Sequence, residues 1–306
     1  MKFAVVGVGG VGGYFGARLA ADGNDVAFIA RGAHRDALRR DGLRVLSAGG
    51  DLHIADPFVP DDAGAAGLCD FVLLCVKLWD VAAAIEQIRP LIAHDTAVVP
   101  FQNGVVVTDT LSAALGPRHV MGGVAQISAV IERPGVIRHT GTMARLVFGE
   151  RDGAQTWRQE CLLSACIGAG IDAAVSPHID VDIWEKFVFL APLAGATAYY
   201  RAPVGAILAD PERRARLEAM VHETAAVGRA KGIALSADVE ARTMAFIAGL
   251  PADMKSSMLN DLEGGRRLEL QWLNGEVVRL GRDLGVATPE NAAVTVALRP
   301  YAAGRA

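Results

Sequence analysis

The spacing of apolar and polar residues divides the chain into two halves. In the first half, short apolar runs alternate with segments of 3.6-residue helical spacing, which is typical of a doubly wound parallel sheet. The apolar run at 71–76, bounded by Asp70 and Lys77, predicts a central strand buried on both faces. From about Ile179 onward only helical spacing recurs. The pattern predicts an α/β domain spanning residues 1–177 and an all-α domain spanning residues 178–306.

Individual elements follow from the same spacing. Strands are predicted at 2–6, 25–30, 43–46, 52–54, 71–76, 97–100, 120–121, 145–148 and 171–175. Helices are predicted at 33–40, 79–92 and 156–169 in the first half, and at 180–199, 211–231, 236–249 and 268–284 in the second. Because ligands bind beyond the carboxyl ends of the strands in open α/β sheets, we expect the active site in the cleft between the halves.

The first predicted strand runs directly into a glycine-rich turn and then into helical spacing. The turn has the pattern GxGxxG and consists of Gly7, Val8, Gly9, Gly10, Val11 and Gly12. In a dinucleotide-binding turn the first glycine permits the tight bend, the second lets the backbone approach the pyrophosphate, and the third lets helix and strand pack closely. A glycine-rich turn that merely packs tightly is the alternative. Because strand, glycines and helix occur in the required order, we favour a Rossmann-type dinucleotide-binding domain.

The end of the second predicted strand bears on the choice of cofactor. An NAD site usually carries Asp or Glu about 20 residues after the glycines, where it binds the ribose 2′-hydroxyl. Here the strand ends in Ala30-Arg31-Gly32, without a carboxylate. The planar guanidinium of Arg31 suits a 2′-phosphate, so the sequence predicts NADP(H) over NAD(H). His34 and Arg35 follow, and we expect them at a solvated helix start.

Composition and charge narrow the function classes. The chain has 306 residues, 52% of them apolar and 21% charged, and a net charge of −4, without a basic tract that would indicate nucleic-acid binding. Its four cysteines, Cys69, Cys75, Cys161 and Cys166, lack CxxC pairing and the histidine spacing of a zinc site. No apolar run is long enough to span a bilayer, and no leader pattern is found. We expect a cytoplasmic protein with reduced thiols, no metal, and no membrane or nucleic-acid partner.

Three clusters carry candidate chemistry. Lys77 ends the central strand, where it either borders a ligand or emerges into solvent. Asn103 follows the next strand within an Asn-Gly pair, which is both a turn signal and a source of amide hydrogen bonds. Lys186 stands in an otherwise apolar helix, where its charge requires a partner or a function, and Glu269 is the carboxylate we expect beside it.

These clusters together resemble the ketopantoate reductase (2-dehydropantoate 2-reductase) family over nearly the whole chain. The matching positions are the N-terminal glycine motif, Arg31-Gly32, Cys75-Val76-Lys77, Gln102-Asn103-Gly104, Trp184-Glu185-Lys186, Ser256-Ser257-Met258 with Asp261, Glu269, Asn274-Gly275 and Pro289-Glu290-Asn291. Each motif is weak alone, but their order and spacing are specific. The resemblance implies NADPH-dependent reduction of a small 2-oxo acid to a 2-hydroxy acid.

The resemblance also implies a role for each candidate residue. Lys186 would be the general acid that protonates the developing alkoxide, and Glu269 would orient it and contact the substrate. Asn103 would position the substrate carbonyl and the nicotinamide. Ser257 would bind the substrate carboxylate, and Lys77 would line the cofactor and substrate site.

One part of the family's pattern is missing. After the catalytic lysine the family usually carries three asparagines that contact the substrate and its hydroxyl, but this chain has Leu190, Ala194 and Val204 at those positions. Leu190 and Ala194 share a helix face with Lys186, and Pro192 lies between them. A site without those amides loses its means of selecting a hydroxyl group. We therefore expect a substrate tail more apolar than that of ketopantoate, which remains the family default.

Alternatives to this interpretation stay open. The chain could be a different NADP-dependent hydroxyacid dehydrogenase, with His178 or His222 in the acid–base role. It could also be a catalytically inactive NADPH-binding regulatory protein, although retention of Lys186 and Glu269 argues against that. The apolar helical spacing around 215–227 indicates either a homodimer face or packing within the second domain.

Overall fold

The computed structural model describes residues 1–305. Its strands are β1 Lys2–Val6, β2 Asp25–Ile29, β3 Leu43–Leu46, β4 Leu52–Ile54, β5 Cys69–Leu74, β6 Ile92–Pro100, β7 Met121–Arg133, β8 Val136–Glu150 and β9 Asp172–Val175. Its helices are α1 Gly10–Ala21, α2 Gly32–Asp41, α3 Val81–Ile88, α4 Val107–Leu115, α5 Trp157–Gly168, α6 Ile179–Tyr200, α7 Val204–Leu208, α8 Pro211–Ala230, α9 Val239–Ala248, α10 Ser257–Glu263, α11 Asn274–Leu284 and α12 Pro289–Leu298. Two compact units result: residues 1–102 with 106–179, and residues 103–105 with those from 180 onward.

A four-stranded parallel sheet with the order β2-β1-β5-β6 forms the centre of the first unit. In its middle strands Phe3 pairs with Phe71 and Val5 with Leu73, and the two phenylalanine rings stack at 5.3 Å. These four side chains are at most 2% exposed. Strands buried on both faces form continuous apolar runs, which explains why the sequence pattern located them. The predicted Rossmann-type parallel sheet is confirmed, and its order places the carboxyl ends of β1, β5 and β6 side by side.

A second sheet in the same unit has the order β4-β3-β8-β7, with β9 paired to β8. β7 and β8 form an antiparallel hairpin that turns near Gly135, whose φ is +80°. The predicted strands at 120–121 and 145–148 were far too short, because β7 and β8 contain 13 and 15 residues. Residues 126–133 of β7 and 140–145 of β8 contain no buried side chain, and Val130 and Met143 are 57% and 58% exposed. Apolar alternation therefore gave no signal there.

Helix α1 packs against both sheets of this unit through glycines. A Cβ on Gly10 would lie 1.9 Å from the carbonyl oxygen of Ala129 in β7, and one on Gly16 would lie 2.8 Å from the ring of Phe28 in β2. Only glycine permits such close approach of helix and sheet. The glycines thereby fix the N-terminus of α1 at the carboxyl end of β1.

The helix predicted at 79–92 is shorter in the structure. Helix α3 covers Val81–Ile88 and is followed by a 3₁₀ turn at Arg89–Leu91. Pro90 lies inside that turn and cannot continue the hydrogen-bonded ladder of the helix. Strand β6 consequently begins at Ile92, earlier than predicted.

The second unit is helical, as predicted, and α6 carries Pro192 in its interior. The helix predicted at 268–284 is wrong at its start. Helix α11 begins at Asn274, and Glu269 precedes a 3₁₀ turn at Leu270–Trp272 instead of lying in the first helical turn. None of the helices described in residues 1–305 is long and apolar enough to cross a membrane.

Candidate active site

The three glycines of the turn after β1 serve different purposes. Gly7 has a φ of +93°, and a Cβ there would lie 2.6 Å from the backbone nitrogen of Val76. A Cβ on Gly12 would lie 2.2 Å from the carbonyl oxygen of Gly7. By contrast, no atom lies within 4 Å of the position that a Cβ on Gly9 would take. The first and third glycines permit packing, and the second leaves open space above the turn for a ligand.

The first turn of α1 favours a bound anion. Gly9 is the N-cap residue and provides no side-chain cap, and the first turn contains no acidic residue. The N–H groups at a helix start lack intrahelical acceptors and carry partial positive charge. Together with the open space at Gly9, this arrangement fits the pyrophosphate of a dinucleotide.

Arg31 follows β2, where the sequence placed it, but it has a partner that the sequence did not reveal. Its Nη1 donates a hydrogen bond to Oδ1 of Asp80 at 3.1 Å, and Nη2 contacts the other carboxylate oxygen. Asp80 lies 49 residues later and reaches Arg31 because β2 and β5 both flank β1. The side chain of Arg31 is 79% exposed, so this ion pair is weak and its guanidinium is accessible to another anion.

Lys77 lies exposed just after β5. Its Nζ is 5.6 Å from the ring centroid of Trp79, which is a cation–π distance. Arg31 and Lys77 thus stand on the two sides of β1, and both lie at the carboxyl edge of the parallel sheet. The edge carries two cationic side chains around the glycine-rich turn.

His34 lies in the first turn of α2, at the helix start predicted for it, but it is not solvated. It is half-buried, and its Nδ1 accepts a hydrogen bond from the N–H of Gly135 at 3.1 Å. Its buried Nε2 has no hydrogen-bond partner within residues 1–305. Burial lowers the pKa of His34, and its contact with the Val8 backbone acts in the opposite direction. His34 therefore lies neutral beside the glycine-rich turn, a position its sequence neighbours did not indicate.

Gln102, to which the sequence analysis gave no role, follows β6 at the same sheet edge. Both amide atoms of Gln102 are buried without a hydrogen-bond partner in the described part of the chain. A buried amide in that state is costly and is expected where a ligand or water completes its bonds. The adjacent Asn103 is partly buried and begins the short segment that belongs to the helical unit. Gly104, with a φ of +97°, makes the turn between them and α4.

Lys186 and Glu269 interact within the helical unit. Lys186 is partly buried in α6, and Glu269 is 7% exposed just before α11. Burial lowers the pKa of Lys186 to about 8, while the negative charge of Glu269 acts to raise it. An ammonium group with a pKa this near neutrality is suited to proton donation. The structure thus brings together the lysine and carboxylate that the sequence analysis paired.

A buried amide network joins α6 to the helices that follow Glu269. The side-chain amide of Asn274 donates hydrogen bonds to the carbonyl oxygen of Ala191 at 3.0 Å and to Oδ1 of Asn291 at 2.9 Å. The Asn291 amide in turn donates to the buried Glu223 carboxylate at 2.7 Å. Gly195 makes room, because a Cβ there would lie 2.5 Å from the Asn274 amide nitrogen. The network holds α6, α8, α11 and α12 in register near Lys186.

Of the two adjacent serines, the structure buries the first and exposes the second. Ser256 is the N-cap of α10. Its Oγ accepts hydrogen bonds from the N–H of Leu259 at 3.1 Å and from the hydroxyl of Thr197 at 2.6 Å. Ser257, the predicted substrate ligand, is exposed at the first position of α10. Its hydroxyl is therefore available for a substrate, while Ser256 ties α10 to α6.

The three positions where asparagines were expected differ in exposure. Leu190 is partly exposed one turn after Lys186 on α6. Ala194 and Val204 are each 1% exposed and belong to the core of the helical unit. Leu190 is therefore the member of the three that presents apolar surface beside the lysine.

Metal ligation and thiol chemistry find no support in this region. Within residues 1–305 no group of three or more His, Cys, Asp or Glu side chains could hold a metal ion. The four cysteines are free thiols. Burial raises the pKa of Cys75, next to the glycine-rich turn, to about 12, so that thiol stays protonated and is a poor nucleophile.

Comparison with known proteins identifies relatives over the full chain. The family model described as "Ketopantoate reductase PanE/ApbA" matches residues 3–153, and "Ketopantoate reductase PanE/ApbA C terminal" matches residues 178–302. "Uncharacterized oxidoreductase YkpB" of Bacillus subtilis (strain 168) is 34% identical over 303 residues, covering 99% of each chain. A 2-dehydropantoate 2-reductase of Mesorhizobium japonicum is 32% identical over 326 residues, covering 100% of this chain and 99% of the relative.

Solved structures share the fold. The PanE/ApbA family ketopantoate reductase of Ralstonia eutropha JMP134 superposes with a TM-score of 0.90 at 30% identity, covering 99% of this chain and 98% of that one. A D-mandelate dehydrogenase solved with NADH and anilino(oxo)acetate has a TM-score of 0.89 at 22% identity, covering 99% and 98%. At that identity the second likeness concerns the fold alone.

Proposed function

Because the chain belongs to the ketopantoate reductase family of oxidoreductases, we propose that it reduces a 2-oxo acid to a 2-hydroxy acid with NADPH and that Lys186 is the general acid. The observation that carries this proposal is the interaction of Lys186 with Glu269 in the helical unit, with the pKa of the lysine lowered to about 8. A protonated amine of that pKa can donate a proton near neutral pH.

The residues around the glycine-rich turn are those that would hold the cofactor. NADPH, when bound, supplies the hydride. The N–H groups at the start of α1 bind its pyrophosphate, and Gly9 lets the backbone approach it. Arg31 leaves its exposed ion pair with Asp80 to bind the 2′-phosphate. Lys77 and Asn103 complete the proposed cofactor contacts.

Lys186 acts on the substrate oxygen. As the carbonyl carbon is reduced, negative charge develops on the oxygen, and the Lys186 ammonium stabilises that charge and then transfers a proton from Nζ to it. Glu269 keeps Lys186 protonated, since its charge raises the pKa that burial lowers. Glu269 also accepts a hydrogen bond from the product hydroxyl. Ser257, exposed at the start of α10, binds the substrate carboxylate.

The substrate tail is proposed to be apolar. The relative from Mesorhizobium japonicum is named for reduction of 2-dehydropantoate, whose tail carries a hydroxyl. In this chain Leu190 presents apolar surface one turn from Lys186, and neither Ala194 nor Val204 offers an amide. Alkyl or aryl 2-oxo acids would bury their tails against this surface, whereas a hydroxyl would lose hydrogen bonds to water.

Steady-state oxidation of NADPH across a panel of 2-oxo acids tests this function. We expect turnover with alkyl and aryl members, weaker turnover with ketopantoate, and none in Lys186→Ala, which should still bind NADPH in a fluorescence titration. Faster turnover of ketopantoate than of the alkyl and aryl members would contradict the proposal of an apolar substrate tail, but it would agree with the reductase function. Binding of NADPH without turnover of any member would indicate a regulatory protein instead.

A further inference from the structure

A half-open surface cavity of about 220 Å³ lies in the helical unit, at the chain's last described turn. Three of its lining side chains are arginines: Arg201, Arg266 and Arg305. Leu262 and Tyr301 contribute an apolar and an aromatic wall. None of these residues has a role in the reaction proposed above.

Arg201 occupies a backbone conformation that suits glycine better than arginine. It directly follows α6 and has a φ of +49°, and it is the one non-glycine residue with a positive φ within residues 1–305. This left-handed residue ends α6, since the N–H of Ala202 donates to the carbonyl oxygen of Thr197 at 3.2 Å. Its guanidinium lies 5.0 Å from the ring centroid of Tyr301, which orients it along the cavity wall.

The side chains of Arg305 and Arg266 pack against Gly265 and Gly264, which have no Cβ to obstruct them. A Cβ on Gly265 would lie 2.9 Å from Cδ of Arg305, and a Cβ on Gly264 would lie 2.6 Å from Nη1 of Arg266. The N–H of Arg305 donates to the carbonyl oxygen of Gly265 at 2.9 Å, which anchors the last segment beside this turn. Replacing either glycine would displace a guanidinium from the cavity.

The charges of the cavity are not balanced within the described chain. Arg266 is paired with Asp261, with Nε 2.7 Å from Oδ1. Neither Arg201 nor Arg305 forms an ion pair with any carboxylate in residues 1–305. Two guanidinium groups therefore line the same cavity without a carboxylate partner in residues 1–305, in the planar, multidentate form that recognises phosphate oxygens.

We propose that this cavity binds a small phosphate monoester. The guanidinium groups of Arg201 and Arg305 hold the phosphate dianion, and the remainder of the ligand packs against Leu262 and Tyr301. The cavity is larger than a bare phosphate requires, which favours an ester with an apolar or aromatic group. The site is independent of the glycine-rich turn, which belongs to the other unit.

Titration with phenyl phosphate tests the proposal. Calorimetry is performed without NADPH on protein that also carries Arg31→Ala, because NADPH is itself a phosphate monoester and would compete for the cavity, while the substitution disables the proposed 2′-phosphate site. We expect saturable binding that is weakened about tenfold or more in Arg201→Gly and in Arg305→Ala, because each loses charge-assisted hydrogen bonds. Arg201→Gly should keep or raise the melting temperature, since glycine accepts the positive φ. Arg282→Ala, which removes an exposed arginine outside the cavity, is the matched control and should bind normally.

The affinities of three anions for the cavity test which class of ligand it binds. Inorganic phosphate should bind more weakly than phenyl phosphate, and benzoate weakest, because it carries one charge and no tetrahedral oxyanion. Equal binding of benzoate and phenyl phosphate would overturn the phosphate assignment. Absence of saturable binding, or equal affinity in the wild type and both cavity variants, would overturn the site.

Discussion

The side-chain amide of Asn274 donates a hydrogen bond to the backbone carbonyl oxygen of Ala191 across 3.0 Å. Ala191 immediately precedes Pro192, where α6 lacks a backbone N–H. Asn274 begins α11, five residues after Glu269, and Ala191 lies five residues after Lys186. This buried contact therefore joins the two chain segments that carry the proposed acid and its carboxylate partner. Asn274 is a positioning residue, since it acts on those groups through the helices that bear them.

Asn274→Ala should lower both stability and activity. The substitution leaves the Asn291 amide oxygen buried without its donor, at about 1–3 kcal/mol, and removes the side-chain hydrogen bond to the Ala191 carbonyl within α6. We expect a lower melting temperature and a pH–rate profile shifted from that of the wild type, because the separation of Lys186 and Glu269 changes. Asn24→Ala, a half-buried asparagine of the other unit, is the control. An unchanged pH profile would show that Asn274 has only a structural role.

The reductive reaction should slow as pH rises through about 8. Lys186 has its pKa lowered to about 8, and only its protonated form donates a proton. Above that pH kcat/KM should fall about tenfold per pH unit, as expected for a single ionisation. A profile flat from neutral pH to pH 10 would rule out Lys186 as the general acid.

The same ionisation has a consequence for stability with a defined sign. The unfolded lysine, with its ordinary pKa of 10.5, binds more protons than the folded one between pH 8 and 10.5. The contribution of Lys186 to the free energy of unfolding should therefore increase as pH rises through that window. Lys186→Met should flatten this part of the curve of unfolding free energy against pH, as measured by urea denaturation.

Removing the Glu269 charge should move the alkaline limb of the pH–rate profile to lower pH. Glu269 raises the pKa of Lys186 against the effect of burial, so Glu269→Gln lowers that pKa further. We expect kcat/KM to begin falling below pH 8 in this variant. A shift of the limb to higher pH would contradict the electrostatic role of Glu269.

Two glycine variants separate cofactor binding from folding. Gly9→Ala meets no atom within 4 Å, so the protein should fold normally but bind NADPH about tenfold more weakly, since the new methyl group occupies the approach of the pyrophosphate. Gly12→Ala places a Cβ 2.2 Å from the carbonyl oxygen of Gly7 and should be destabilised by about 1–3 kcal/mol. Fluorescence titration and thermal melting measure both. Normal NADPH affinity in Gly9→Ala would argue against a dinucleotide at this turn.

Arg31 and Asp80 should act oppositely on the choice between cofactors. Arg31→Ala should weaken NADPH binding about tenfold with little effect on NADH, because only the former carries a 2′-phosphate. Asp80→Ala frees the Arg31 guanidinium and removes a negative charge near it, so NADPH should bind more tightly. Dissociation constants for both cofactors in both variants provide the check. Equal loss of NADH and NADPH in Arg31→Ala would refute the NADP assignment.

Leu190→Asn should change the order of preferred substrates. An amide one turn from Lys186 can bind a hydroxyl and reduces the apolar surface there, so the ratio of kcat/KM for ketopantoate to that for an aryl 2-oxo acid should rise about tenfold. Leu190 is partly exposed, so the fold should tolerate the change. Leu284→Asn, at an exposed leucine outside this region, is the control. An unchanged ratio would place the substrate tail elsewhere.

Local patterns in the sequence determined the fold class and the elements that form the proposed cofactor site. The buried strands β1 and β5 are continuous apolar runs, and the glycine-rich turn is a short motif whose spacing is itself the geometric requirement. The sequence determined the first and last residues of the strands and helices less well. Residues 126–133 of β7 and 140–145 of β8 contain no buried side chain that would mark a strand, and Glu269 lies outside the helix to which its spacing assigned it.

Relationships between distant residues were decided by the tertiary structure. Asp80 reaches Arg31 because the sheet order places β2 and β5 on either side of β1. Asn274 meets Ala191 because Gly195, one turn after Ala191 on α6, admits its side chain. Ala194 and Val204 are buried, so Leu190 alone of the three presents surface beside Lys186. Periodicity records which face of an element is apolar, but which distant element covers that face depends on packing of the whole chain.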